Sequence, residues 1–255
     1  MKTFSLYVEK DSLIHRIDPI NKILYVLTAV SVPLILPSMA VSFLWMLTSL
    51  ALLAAAKVIR QSLPVFAFVS LVLGTVVLIQ GWFYPGNQTP LFGREPFVFY
   101  VEGLMNALRI VVRVITIVAA FLLLVLTTRP ADLVEELVRR GLSPRLGYVL
   151  ASIFQILPQM IKTTRTIMDA QRSRGLETEG NLWVRVKAFL PLIGPVVMSS
   201  LIHAKERALA LEVRGIHFEG KRTWLREKRK YPHSRAIGAC LLLVLALSVV
   251  WRILG

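Results

Sequence analysis

At 255 residues, with 55% hydrophobic and 18% charged residues and a mean hydropathy of +0.64, the chain is too apolar for an ordinary soluble domain and reads as a membrane protein. Its net charge of +15 raises nucleic-acid binding as an option, but the cations cluster in residues 2–22, at Lys57–Arg60 and in 129–235, while 85–99 holds only Arg94. That asymmetry is the positive-inside pattern, so the basic charge records membrane orientation, with some attraction to anionic lipid, and gives no support to nucleic acid as a partner.

The first 22 residues carry Glu9, Asp11 and Asp18 and lack the apolar core of a cleavable signal peptide. Five apolar blocks follow, at 23–36, 39–56, 63–84, 104–128 and 236–254. A bilayer-crossing helix takes about 20 residues, so they predict about five spans, the first two joined at Pro37-Ser38 as a tight hairpin. The block interiors contain no Asp, Glu or His. A self-contained pump or intramembrane enzyme needs such groups at depth, and both are disfavoured. Arg109 and Arg113, four apart on one face, are expected toward the outer half within snorkelling reach of headgroups, in a structural role or against a partner. Cys240 reads as a buried small hydrophobe.

Residues 129–233 are basic and amphipathic. TTRPADLVEEL ends a span and predicts a short helix from near Asp132 to Gly141. Leu146, Leu150, Ile153, Leu157, Ile161, Thr164 and Met168 then recur at three- and four-residue steps, an amphipathic helix of about eight turns bent at Pro158. Trp183, Val186, Phe189, Val197, Leu201, Ala204, Ala208 and Leu211 form a second stripe, with Pro191 and Pro195 expected to break it and leave a helix from about Val196 to Arg214. Both helices are longer than a loop needs and too polar to span; lying on the bilayer surface is an alternative for part of their length. The domain expectation is therefore 1–128 with four spans, a coupling-helix region at 129–233, and a last span at 234–255.

Each long helix ends in a related signature, AQRSRG at 170–175 and ALEVRG at 210–215. Gly past a helix end closes the last turn in the left-handed region, and Arg there meets the negative end of the helix dipole. Punctuation explains one pair; two in a shared Ala-x-x-x-Arg-Gly frame, with Arg165 and Lys205 matched upstream, point to a two-pronged docking element. The forked guanidiniums of Arg174 and Arg214 would meet carboxylates or carbonyls of another protein, with Ala170, Ser173, Gly175, Ala210, Val213 and Gly215 shaping the tips. GIHFEGKR at 215–222 has phosphate-loop spacing but Arg222 where the Mg-binding hydroxyl belongs. No CxxC or HExxH spacing occurs, so neither catalytic residues, a metal nor a cofactor is expected.

At these residues the chain resembles the transmembrane coupling component of energy-coupling factor transporters, the EcfT family, which includes cobalt and nickel transporter subunits. Ser12, His15, Asp18, Pro19 and Lys22 resemble the family's opening motif, and TTRPADL and the two Arg-Gly helices its later ones. The departures are Ser173 and Val213, each standing where the family has alanine. The resemblance implies an all-α polytopic protein that is not itself an enzyme. Its partners would be two ATP-binding-cassette ATPases, which bind the ATP and Mg and dock the Arg tips, and a substrate-binding S-component for a vitamin or transition-metal ion. Leu146, Leu150, Ile153, Leu157, Val197, Leu201, Ala204 and Leu211 would pack against each other and the S-component. The N-terminus and 129–233 would be cytoplasmic and the C-terminus outside. Two other readings stand beside it: a cytoplasmic-face membrane enzyme using His203, Glu206 or the LETEG loop, and a lipid-binding anchor using KRTWLREKRK at 221–230.

Overall fold

A computed structural model describes residues 7, 8, 10, 12–92, 98–176, 181–216, 231 and 234–254. Residues 177–180 of the LETEG loop, GIHFEGKR beyond Ile216, the 221–230 cluster, His217 and His233 lie outside them, as does the side chain of Val186. The described residues are almost wholly α-helical: a 3-10 turn at Leu13–Arg16, then α1 (Pro19–Ile35), α2 (Met39–Ala55), α3 (Ile59–Phe83), α4 (Val101–Thr127), α5 (Pro130–Arg139), α6 (Pro144–Ser173), α7 (Leu182–Val213) and α8 (Ser234–Leu254). A small antiparallel pair, β1 (Pro90–Phe92) and β2 (Phe99–Tyr100), lies between α3 and α4. The chain forms two compact units, Ser5–Leu142 with Lys230–Gly255, and Ser143–Arg229. The division falls after Leu142, not after 128, because α5 packs on α1 and belongs with the apolar helices.

In the first unit α3, α4 and α8 are long and apolar enough to cross a membrane. The helices α1 and α2, at 17 residues each, reach only about 25 Å. Of the five expected spans, three therefore meet the length and two form the shorter hairpin through Pro37-Ser38. The helix α1 starts at Pro19, earlier than its apolar block suggested, because Asp18 caps it by accepting from Ile20 N–H at 2.9 Å.

Small residues bring these helices close: Ala29, Ala119 and Ala120 are at most 1% exposed, as are Thr28, Ser49 and Thr116. Buried hydroxyls of Thr28, Thr116 and Thr127 bond carbonyls one turn back, so none of these three demands a partner from lipid. Leu53, Val58, Leu123 and Leu126 close the core at one end, with Ile14 of the 3-10 turn. At the other, Gly103 leaves no room for a side chain: a Cβ would lie 2.2 Å from the Gln80 carbonyl oxygen. Its N–H donates to Asn87 Oδ1 at 3.1 Å, and Glu102 accepts from the backbone of Gln88 and Thr89 and from the Thr89 hydroxyl. Gly103→Ala is accordingly expected to destabilise the bundle by about 1–3 kcal/mol, read as a lower midpoint in a thermal melt of the detergent-solubilised chain.

Arg113 lies midway along α4, about 21 Å from its Thr127 end; Arg109 is exposed, and Arg113 Nε is buried with no hydrogen-bond partner among the described residues. One other sequence expectation changes. Cys240 is exposed rather than buried. It lies on an apolar helix with only Ser248 fully buried, and such a face is suited to lipid or a partner.

The second unit contains α6 and α7, of 30 and 32 residues, about 45 and 48 Å long. Ser143 caps α6 by accepting from Leu146 N–H, with Pro144 in the first turn, and the helix continues through Pro158. Contrary to the expected break, α7 also continues through Pro191 and Pro195. The two prolines are four apart, so the lost donors fall on one face and the rest of the hydrogen-bond ladder survives.

Candidate functional site: the ends and faces of the two long helices

The signature ends are built alike. At the end of α6, Leu176 N–H donates to Gln171 O at 3.1 Å and Gly175 N–H to Arg172 O at 2.9 Å. At the end of α7, Ile216 N–H donates to Leu211 O at 3.1 Å and Gly215 N–H to Glu212 O at 2.9 Å. Both are Schellman closures with an apolar residue after the glycine. The glycines have φ of +88° and +73°, where an L side chain is strained. A Cβ on Gly175 would touch nothing within 4 Å, so the constraint there is conformational and not steric.

The closure places Arg174 and Arg214 at the capping position, one past the last residue of each helix. Both are exposed, as are Ala170, Ser173, Ala210 and Val213. Neither guanidinium makes an ion pair or hydrogen bond among the described residues. Ser173 Oγ donates to Asp169 O at 3.1 Å, which folds the hydroxyl against its own helix, so serine departs little from alanine in shape. Val213 is 89% exposed and projects, giving the second tip a bulkier surface. Gly175→Ala with Gly215→Ala should fray both last turns, at about 1–2 kcal/mol each, and the amide exchange of residues 172–176 and 212–216 should rise while that of the mid-helix amides holds.

The helix end expected at Gly141 is a third copy of this closure, a likeness the sequence reading did not draw. Gly141, φ +117°, ends α5 with Leu142 N–H on Leu137 O at 3.0 Å and Gly141 N–H on Val138 O at 3.2 Å. Its arginine, Arg140, is not free: Nη2 donates to Asp18 Oδ2 at 2.7 Å. Arg-Gly is thus a general helix ending in this chain. What sets 174 and 214 apart is that their guanidiniums are unspent.

Along the helices, the predicted apolar stripes do not bury each other. Leu146, Leu150, Ile153 and Leu157 on α6, and Val197 and Leu201 on α7, are 38–60% exposed; Ala204 is exposed and Leu211 half-buried. A polar contact joins the helices, Arg207 Nη2 donating to Gln159 Oε1 at 2.7 Å, with Ile156, Met160, Val196 and Ala204 beside it. Beside it a cleft is lined by Lys162, Thr163, Met198, Ser199, Ile202 and His203. His203 and Glu206, offered for an enzyme reading, form an exposed surface pair at 3.3 Å. No group of three or more metal-binding side chains occurs among the described residues. Trp183, Phe189, Ile193 and Met198 extend the exposed apolar surface of α7. Faces of this extent without a covering element mark interaction surfaces.

The opening motif also acquires a physical role. His15 accepts or donates through Nδ1 to Ser12 Oγ at 2.7 Å and contacts the Val8 carbonyl through Nε2 at 3.1 Å, folding the chain start onto the bundle. Buried Lys22 donates from Nζ to Thr127 O at 2.9 Å, satisfying an end carbonyl of α4. These residues hold helix ends together.

Comparison with known proteins now adds to this geometry. Residues 10–224 match the family model described as CbiQ, cobalt transport protein. The energy-coupling factor transporter transmembrane protein EcfT of Lactococcus lactis subsp. cremoris is 27% identical, over 96% of this chain and 96% of that protein. That of Heliobacterium modesticaldum is 30% identical over 98% and 97%, and that of Leuconostoc gelidum subsp. gasicomitatum 32% identical over 85% and 84%. With a family model spanning most of its length and relatives aligning nearly end to end, the chain belongs to the CbiQ/EcfT family of energy-coupling factor transporter transmembrane proteins.

Proposed function

We propose that the chain is the non-catalytic coupling scaffold of an ATP-driven importer, docking two ATPase subunits on the ends of α6 and α7 and a substrate-binding S-component on their apolar faces. The carrying observation is the pair of matched helix ends, each presenting an exposed guanidinium with no partner among the described residues. In this account Arg174 and Arg214 are anchors that take up force; Ala170 and Ala210, one turn back, let each tip enter a groove. ATP and Mg belong to the ATPase partners. Closure of the two ATPases moves the tips, and the exposed faces from Leu146 to Leu157 and from Val197 to Leu211 pass that motion to the S-component. The cargo is a vitamin or a transition-metal ion, recognised by the S-component and not by this chain. The basic stretches support a cytoplasmic N-terminus and 129–233, with the C-terminus outside.

Affinity purification of the full chain from its native membranes in mild detergent, with mass spectrometry of everything retained, tests this reading. Two ATPase copies and a small hydrophobic protein are expected. A chain recovered alone, under conditions that keep other membrane complexes whole, would sink it.

A further inference from the structure

The unit from Ser143 to Arg229 is inserted into the sequence of the apolar bundle, so the chain leaves the bundle after Leu142 and re-enters it at Lys230. Arg140 stands just before the first crossing and Ser234 just after the second. One carboxylate oxygen holds both. Asp18 Oδ2 accepts from Arg140 Nη2 at 2.7 Å and from Ser234 Oγ at 2.8 Å, across 122 and 216 residues of sequence. Its other oxygen caps α1 through Ile20 N–H at 2.9 Å.

Asn21, one turn along α1, doubles the second tie, donating to Ser234 O at 2.7 Å and to Ser234 Oγ at 3.1 Å. A Cβ on Gly238 would come within 3.0 Å of Asn21 Oδ1, so α8 sits close against α1 there. The electrostatics agree. The carboxylate lies at the N-terminal ends of α1 and α8, and the guanidinium at the C-terminal end of α5, each at the favourable pole of a helix dipole. Asp18 is 4% exposed, so it is shielded from water and its bonds resist screening by salt.

We propose that Asp18 is the fixed point that ties the end of α5 and the start of α8 to α1, so that movement entering from α6 at the end of α5 is delivered to α1 and α8 together. Arg140 is the positioning residue at the root of α6, and Ser234 its counterpart at α8. A carboxylate is suited to this because it can accept several bonds at once and is neutral in none of them. The lock itself is a property of the bundle; its use in transmitting ATPase movement rests on the function proposed above.

The test uses the full chain with nitroxide labels on its lone native cysteine, Cys240 of α8, and on Ala131→Cys of α5, both exposed. Pulsed electron resonance gives the α5–α8 distance distribution in nanodiscs. The wild type should give one narrow peak, Arg140→Lys should keep it, and Asp18→Asn and Arg140→Gln should broaden it at least twofold. Should Asp18→Asn fail to fold, Arg140→Gln decides, since that guanidinium is half-exposed. Unchanged widths in the variants would overturn the lock. In the complex with ATPases, labels at Cys240 and Leu71→Cys of α3 should shift on MgATP with vanadate, and Arg140→Gln should lose at least half that shift while ATP hydrolysis stays within twofold. A full shift in the variant would overturn the delivery role. Absence of ATPases from the wild-type preparation would count against the proposed function, leaving the α5–α8 widths to judge the lock.

Discussion

A chain carrying Arg174→Glu and Arg214→Glu together should reach the membrane at wild-type abundance and recover ATPase subunits at least a hundredfold less well. Insertion is spared because both guanidiniums are exposed and bond nothing among the described residues, so the fold loses no contact. Binding is not spared. Removing one side of a hydrogen-bonded charge pair at an interface costs about 2–5 kcal/mol, and reversing it adds repulsion. A hundredfold needs only about 2.7 kcal/mol, and two tips at the low end of that range already lose about 4 kcal/mol. Each single variant should lose about thirtyfold, the low end of that range, because the other tip still holds. Arg140→Glu is the contrasting control: the same Arg-Gly setting, but a guanidinium already engaged by Asp18, so its loss should appear in bundle stability and not first in ATPase recovery. Quantitative pull-down against a membrane-abundance blot separates the two behaviours. ATPase recovery at wild-type level in the double variant would remove the anchoring role.

Ile153→Glu with Leu157→Glu should have the complementary effect, losing the hydrophobic membrane partner by tenfold or more while keeping the ATPases. The two side chains are 51% and 45% exposed on the apolar face of α6. Burying each against a partner is worth about 1.5–3 kcal/mol, and a carboxylate in that contact adds a desolvation cost. Neither residue touches the helix end, so Schellman closure and Arg174 should persist. Loss of both partner classes together would mean that the stripe supports the tips indirectly; loss of neither would leave the exposed face unexplained.

The helices were largely legible because their signals are local. Apolar blocks placed α3, α4 and α8, and the three- and four-residue steps from Leu146 to Met168 placed α6. Glycine after arginine marked both tips, and the structure adds that the closure is the same hydrogen-bond pattern twice. Where local rules conflicted with context, they misled. Proline at 191 and 195 reads as a break, yet α7 runs through both, since lost donors on one face leave the ladder standing. The resemblance implied that the two long-helix stripes pack against each other and a partner, whereas periodicity shows only that a face is apolar and not what covers it. The third Arg-Gly at 140–141 does not read as a match to the other two, because it lacks the Ala frame. Its tie to Asp18 spans 122 residues, and no pattern along one sequence encodes such a pairing. The same holds for Asn21 and Ser234. Residues of the opening motif were legible as a resemblance, but their work, joining helix ends far apart in the chain, appears only in three dimensions.

The most direct test of the coupling account is site-specific photocrosslinking in native membranes, with a photoreactive residue placed in turn at Ser173, Val213 and Leu150. The account predicts ATPase subunits trapped from Ser173 and Val213, and the small hydrophobic partner trapped from Leu150. Crosslinks to ATPases from Leu150, or from none of the three while the complex is intact, would contradict it.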